Sequence, residues 1–278
     1  MKKVLFLLVA LLLIVSTVYA EPDPNFYVFL CFGQSNMEGY PGIPEEYKTG
    51  VDERFQVLAA VDFPNMDRTK GQWYTAVPPL CRGNSGLCPA DFFGRTLVEK
   101  LPENVRVGVI NVSIGGCKIE LFDKVNYEEY VSSAAGWLKN TAAIYDSNPY
   151  QHLVDMAKLA QNDGVIKGIL LHQGESNMGE ADWPMKVKGV YDNLLADLNL
   201  TADEVPLLAG EVVHADQGGV CAGMNEIIAT LPQTIPTSHV ISSAGCTDGR
   251  DNLHFNPEGY KELGTRYAQE MLSLLGDK

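Results

Sequence analysis

The sequence predicts an α/β protein of flavodoxin-like, three-layer architecture, with a central parallel sheet between two layers of helices. Short apolar runs alternate with longer helical patterns along the chain, the signature of a sheet wrapped by helices. Runs such as Gly168-Ile169-Leu170-Leu171 are nearly continuous, which suits strands buried on both faces. Polar residues able to do chemistry follow the ends of these runs, where open parallel sheets bind their ligands. No internal repeat or low-complexity linker interrupts the pattern, so residues 21–278 read as a single domain.

In chain order the expected strands are Phe26 to Phe32, Phe55 to Ala60, Arg106 to Val112, Lys167 to His172, Pro206 to Val212 and His239 to Ser242. Each is a short, largely apolar run. The expected helices are Ala90 to Lys100, Pro149 to Asn162, Trp183 to Leu198, Gly223 to Leu231 and Pro257 to Leu275. Pro at or near the first position of several of them is a helix-start signal. The stretch from Gly39 to Pro89 is rich in Gly, Pro, Asn and Asp with one clear strand, and is expected to form surface loops over one end of the sheet.

The first twenty residues read as an export signal. Lys2 and Lys3 precede an uninterrupted apolar run from Val4 to Val15, followed by small Val18 and Ala20 and the turn-prone Glu21-Pro22-Asp23-Pro24. The run is too short to span a bilayer. The expectation is therefore a secreted or periplasmic protein. The formal charge of −14 argues against nucleic acid and anionic membranes as partners, since both require a basic face, and favours a small or neutral substrate.

Export puts the six cysteines in an oxidising compartment. Cys81 and Cys88 bracket a Gly-rich loop and are the first choice for a bridge, with Cys221 and Cys246 a second. Cys31 and Cys117 lie beside apolar runs and read as small buried hydrophobes. No C-x-x-C or H-E-x-x-H spacing occurs, so neither a metal site nor a cofactor is expected.

Four blocks follow strand ends. In Gly33-Gln34-Ser35-Asn36-Met37 the glycine permits a tight turn and Ser35 offers a nucleophilic hydroxyl and an N–H, although Ser35 or Asn36 as a helix cap fits the same residues. In Asn111-Val112-Ser113-Ile114-Gly115-Gly116 the paired glycines let a backbone N–H approach a ligand oxygen; a plain turn is the alternative. The Asn111 triplet also matches a glycosylation sequon, but a buried strand is the wrong place for one. The block His172-Gln173-Gly174-Glu175-Ser176-Asn177 holds more donors and acceptors than a simple cap needs. Finally, Asp251-Asn252-Leu253-His254 sets an acid three residues before a histidine, a spacing that lets the carboxylate accept from Nδ1–H and leaves Nε2 free as a base. His152, His214 and His239 lack such neighbours and read as structural.

Together these blocks describe a serine hydrolase. The nucleophile elbow G-x-S-x-G does not fit, because Met37 stands where its second glycine belongs, which argues against the α/β-hydrolase fold. From Phe26 to about Tyr267 the chain resembles the SGNH-type esterases, specifically the sialate O-acetylesterase-like group that includes the acetylxylan esterases of carbohydrate esterase family six. The resemblance implies Ser35 as nucleophile, His254 as base and Asp251 as its orienting acid, with Glu175 sharing or taking over the acid role. It also implies an oxyanion hole from the Ser35 N–H, the Gly115-Gly116 turn and the Gln173 side chain. Cys117 stands where the family pattern has Ser or Thr.

The expected function is a secreted acetylesterase acting on acetylated polysaccharide or oligosaccharide, acetylxylan first. A sialate O-acetylesterase, or a non-catalytic carbohydrate-binding protein on the same scaffold, is the alternative. Asn36 and Asn177, in two of the blocks, and Trp73 and Arg82, in the loop-rich segment beside Tyr74 and Asn84, are expected to contact the sugar. An apolar groove would instead have suggested a lipase or thioesterase.

Overall fold

The computed structural model describes residues 21–40 and 42–276. The expected export signal lies outside the described residues. The strands are β1 (Phe26–Gly33), β2 (Phe55–Leu58), β3 (Trp73–Thr75), β4 (Arg106–Ser113), β5 (Val165–His172), β6 (Leu207–Gly210) and β7 (Ser238–Ile241). The helices are α1 (Ser35–Glu38), α2 (Pro89–Lys100), α3 (Tyr127–Ser133), α4 (Gly136–Ala143), α5 (Pro149–Ala160), α6 (Trp183–Leu198), α7 (Met224–Ile228), α8 (Leu231–Thr234) and α9 (Pro257–Gly276).

The strands form one seven-stranded sheet in the order β3-β2-β4-β1-β5-β6-β7, parallel throughout except for β3, which pairs antiparallel with β2. Without β2 and β3, the chain visits the remaining positions in the flavodoxin-like order. The connection from β4 to β5 passes from one side of β1 to the other, and this reversal opens a crevice at the carboxyl end of β1. The α/β three-layer expectation holds. The stretch before Pro89 departs from it: β2 and β3 widen the sheet at one edge, and the β3 residues Trp73–Thr75 are a strand that reading the segment as loops misses.

Alternation along the central strands feeds two cores. Val28, Leu30 and Phe32 of β1 point to the face covered by α5 and α6, while Phe29 and Cys31 point to the face covered by α2 and α9. Helix starts follow local chemistry. Asp91 accepts the Cys88 N–H at 2.9 Å ahead of α2, Asn148 accepts the Gln151 N–H at 3.0 Å ahead of α5, and Asn256 accepts the Gly259 N–H at 2.8 Å ahead of α9. Asn199, left-handed at φ 54°, ends α6.

The cysteine pairing is corrected. All six are free thiols and five are buried. Cys81 sits 3.3 Å from the Tyr145 hydroxyl and Cys88 stands at the start of α2, so the two do not close the loop between them. Cys31 and Cys117 are fully buried, and burial pushes both thiols well above their ordinary pKa. Asn111 is fully buried too, its amide donating to the Met37 carbonyl at 2.7 Å, which removes the sequon. His152 is buried with its ring 2.6 Å from the Ala60 carbonyl, a structural role. Among the described residues no helix is long and apolar enough to cross a membrane, and no His, Cys, Asp and Glu group has metal-binding geometry.

Candidate active site

The carboxyl ends of β1, β4 and β5 meet at one cavity of about 620 Å³. Gly33 makes the meeting possible. Its φ is +150°, and a Cβ there would lie 2.0 Å from the His172 carbonyl oxygen, so only glycine lets the end of β1 close on β5. Beyond it Gln34 donates its N–H to the same carbonyl at 3.0 Å, and the chain turns directly into α1 with Ser35 at its first position, facing the cavity.

Ser35 Oγ lies 2.8 Å from His254 Nε2, and His254 Nδ1 lies 2.7 Å from Asp251 Oδ2. The other Asp251 oxygen accepts the backbone N–H groups of Leu253 and His254 at 3.0 and 2.9 Å. Burial raises the Asp251 pKa, but the hydrogen bonds from the His254 ring and from the His254 and Leu253 N–H groups prevail, holding the carboxyl below its usual range. The loop is fixed upstream by Asp248, whose Oδ2 accepts the N–H groups of Arg250 and Asn252 at 3.0 and 3.1 Å. Downstream it is fixed by the Asn256 cap of α9. The Ser35, His254 and Asp251 expected from the sequence are therefore brought into one line.

The N–H groups of Ser35 and Gly116 donate to no internal acceptor among the described residues, and both residues belong to the cavity wall. Gly115 differs from Gly116. Its N–H is held by the Glu38 carboxylate, whose other oxygen takes Arg82. An added Cβ on Gly115 would come within 3.5 Å of the Ser35 Cβ, so the β4 turn lies directly against the nucleophile position.

Four expected site residues sit elsewhere. Gln173 is 1% exposed, and its amide donates to Asn177 Oδ1 at 2.7 Å, Gln34 Oε1 at 3.1 Å and the Cys117 carbonyl at 3.3 Å, while its oxygen accepts the Trp183 indole at 2.5 Å. No N–H of that amide is left for an oxyanion. Asn177 is fully buried, donating to Glu120 and Glu180 at 2.9 Å each, and so does not reach substrate. Trp73 lies on the edge strand β3, packed on Phe26 and donating to Asp163 at 2.9 Å, away from the cavity. Asn36 is fully buried under the nucleophile.

The Asn36 contacts explain its place. Its Nδ2 donates to Glu175 Oε1 at 2.6 Å and to the Leu253 carbonyl at 3.1 Å, and its Oδ1 accepts from the Phe255 N–H at 3.3 Å and the Tyr260 hydroxyl at 2.8 Å. One amide thus grips the backbone on both sides of His254. Glu175 orients that amide, and His254 Nδ1 bonds Asp251. The same Glu175 oxygen stands 3.9 Å from Nδ1 of His172, whose pKa is lowered chiefly by burial.

Arg82 does line the cavity, but it is buried and tied into the protein, donating to Glu38, to the Ser113 carbonyl at 2.8 Å and to the Tyr145 hydroxyl at 2.9 Å. Two aromatic residues that the sequence reading passed over complete the wall. Tyr40 lies over the His254 ring at 4.1 Å between centroids, and Trp137 of α4 overlies Gly116. Neither belongs to a recognisable motif.

A parallel α/β sheet with a serine, a histidine and an acid in line at its carboxyl edge defines a hydrolase of the esterase class. The family model described as "carbohydrate esterase, sialic acid-specific acetylesterase" matches residues 25–273, and the chain belongs to that family. Membership makes it a carboxylic ester hydrolase of acetylated carbohydrate. A probable carbohydrate esterase of Arabidopsis thaliana is 25% identical over 266 residues, covering 91% of this chain and 93% of the relative. The crystal structure of the Arabidopsis thaliana protein superposes with a TM-score of 0.69 at 21% identity over 90% of this chain and 99% of that one. NanS gives 0.67 at 16% identity over 93% and 100%. A carbohydrate acetylesterase from Xanthomonas citri gives 0.62 at 19%, over 90% of this chain and 56% of its own.

Proposed function

We propose that the protein is a secreted serine acetylesterase that removes O-acetyl groups from acetylated polysaccharide or oligosaccharide, acetylxylan first among them, by two-step acyl transfer. The observation that carries the reading is the unbroken line from Ser35 Oγ through His254 to Asp251, with contacts of 2.8 and 2.7 Å. His254 Nε2 takes the Ser35 proton as Oγ attacks the acetyl carbonyl. The tetrahedral oxyanion is held by the Ser35 and Gly116 N–H groups, each such donor contributing about 3 kcal/mol to the transition state. Collapse breaks the bond to the sugar oxygen, which leaves with the proton from His254. Water then loses a proton to His254, attacks the acetyl-enzyme, and releases acetate and free Ser35.

Asp251 orients the imidazole and offsets its charge, and Glu175 acts through Asn36 as a positioning residue. Export supports the secreted assignment through the Lys2-Lys3 and Val4 to Val15 pattern alone. Labelling by a fluorophosphonate separates this reading from a carbohydrate-binding protein on the same scaffold: the esterase labels at Ser35, whereas a binding protein stays unlabelled. Acetate release from acetylated xylan, pectin, mannan and O-acetyl sialic acid ranks the substrates. Equal release from all four would remove the xylan preference.

A further inference from the structure

The cavity beside Ser35 is unequal in charge and in shape, and both inequalities concern the alcohol half of the ester. Arg82 is the only Lys or Arg among the described lining residues, and its guanidinium is committed to Glu38, the Ser113 carbonyl and Tyr145. Two carboxylates, Glu38 and Glu175, share the same wall, and Asp251 stands behind His254. A substrate carboxylate entering there meets no unpaired cation: the one guanidinium is neutralised by Glu38, and Glu175 and Asp251 add negative charge behind the wall. Shape is set by Trp137. It is 56% exposed, and a Cβ on Gly116 would fall 2.7 Å from its ring, so the indole covers the side of Gly116 where a side chain would stand. Tyr40, 48% exposed, adds a second aromatic wall over His254. An exposed indole would cost less solvation free energy folded inward, and α4 presents it outward at the mouth of a cavity instead.

We propose that Trp137 is a stacking platform for the sugar ring that carries the acetyl group, and that the ring is an uncharged pyranoside. A pyranose offers an apolar C–H face to an indole, while its hydroxyls stay in water at the open rim. This deepens the acetylesterase reading and rests on it for the position of the reacting carbonyl. Trp137 is a specificity residue, since it meets the alcohol half and leaves the reacting atoms to Ser35 and His254.

The test compares three acetyl esters in the full chain: an O-acetylated methyl xylopyranoside, O-acetyl sialic acid, and ethyl acetate, which has no ring. Trp137→Ala is expected to raise KM for the pyranoside about tenfold while leaving kcat/KM for ethyl acetate within about twofold, and Trp137→Phe to recover most of the loss. The native protein is expected to favour the pyranoside over O-acetyl sialic acid at least tenfold at low salt, with the gap narrowing when the sialic carboxylate is methylated. Equal losses on pyranoside and ethyl acetate would reduce Trp137 to a structural role, and unchanged KM for the pyranoside would remove the platform. Parity between the pyranoside and O-acetyl sialic acid would overturn the charge argument. Titration of Ser35→Ala with the pyranoside, with and without Trp137→Ala, separates the two readings: Trp137-dependent binding without turnover by the native protein keeps the platform and rejects the esterase.

Discussion

Two layers of polar residues meet at the carboxyl edge of this sheet, and they differ in exposure and in task. The upper layer, Ser35, His254 and the Gly116 N–H with Asp251 behind the histidine, borders the cavity and leaves hydrogen-bonding capacity open toward it. The lower layer, Gln34, Asn36, Gln173, Glu175 and Asn177, is buried, and its amides are spent almost entirely on one another and on loop backbone. Neighbours in sequence fall in opposite layers: Ser35 faces up and Asn36 faces down. The comparison teaches that a motif rich in donors is half chemistry and half scaffold, because groups held to catalytic tolerance need a satisfied polar floor.

The widest break between the layers is expected from Ser35→Ala, which should lower acetate release at least about thousandfold while leaving the thermal midpoint close to native. Next comes the pair Asp251→Asn and Glu175→Gln. Asp251→Asn should lower kcat roughly hundred-fold to ten-thousand-fold by losing the acceptor that fixes the His254 tautomer. Glu175→Gln should cost less in kcat and more in stability, since it weakens a buried bond to Asn36. A larger kcat loss for Glu175→Gln than for Asp251→Asn would move the acid role to Glu175.

Substitutions confined to the floor should read as stability first. Asn36→Ala leaves the Glu175 carboxylate and the Tyr260 hydroxyl without their partner, and should cost about 2–4 kcal/mol in denaturant unfolding together with a smaller drop in kcat. Gln173→Ala belongs with it, because the Trp183 indole loses its acceptor. A hundred-fold kcat loss with unchanged stability would return Gln173 to the oxyanion hole.

The smallest effect is a difference in pH dependence between an exposed and a buried carboxylate. Asp251 has a folded pKa below its ordinary 3.8, so its contribution is complete above that value and is lost as pH falls through the lower folded one. Asp91 runs the other way. Burial is the largest influence on it, opposed by the Cys88 N–H, and pushes it up to about 7. The folded chain then holds a proton that the unfolded chain has released, so stability falls as pH rises from 3.8 toward about 7. Asp91→Asn should flatten the thermal midpoint across that window, and an unchanged slope would assign it to other groups.

Much of this was legible along the chain. Strand runs fixed by apolar composition, Pro at helix starts, and the short Asp251 to His254 spacing are local signals, and local chemistry carries them into the fold. β3 was not legible, because three half-buried residues on an edge, Trp73–Thr75, take their strand conformation from pairing with β2. The same reason hides Trp137 and Tyr40, which lie far in sequence from the Gly116 and His254 they cover, and the bond that ties Glu38 to the distant Arg82.

What the sequence by itself determined, then, is the layered α/β class, the four blocks and the three residues able to form a catalytic line, since residue type and near-neighbour spacing decide those. Only the tertiary structure decided which members of each block face the cavity. That choice depends on side-chain direction at the strand ends and on which buried groups find partners across the sheet. Asn36 and Gln173 are held in the floor because bonds to Glu175, Tyr260, Asn177 and Trp183 satisfy them there, and a buried amide without such partners costs more than any local preference can offset.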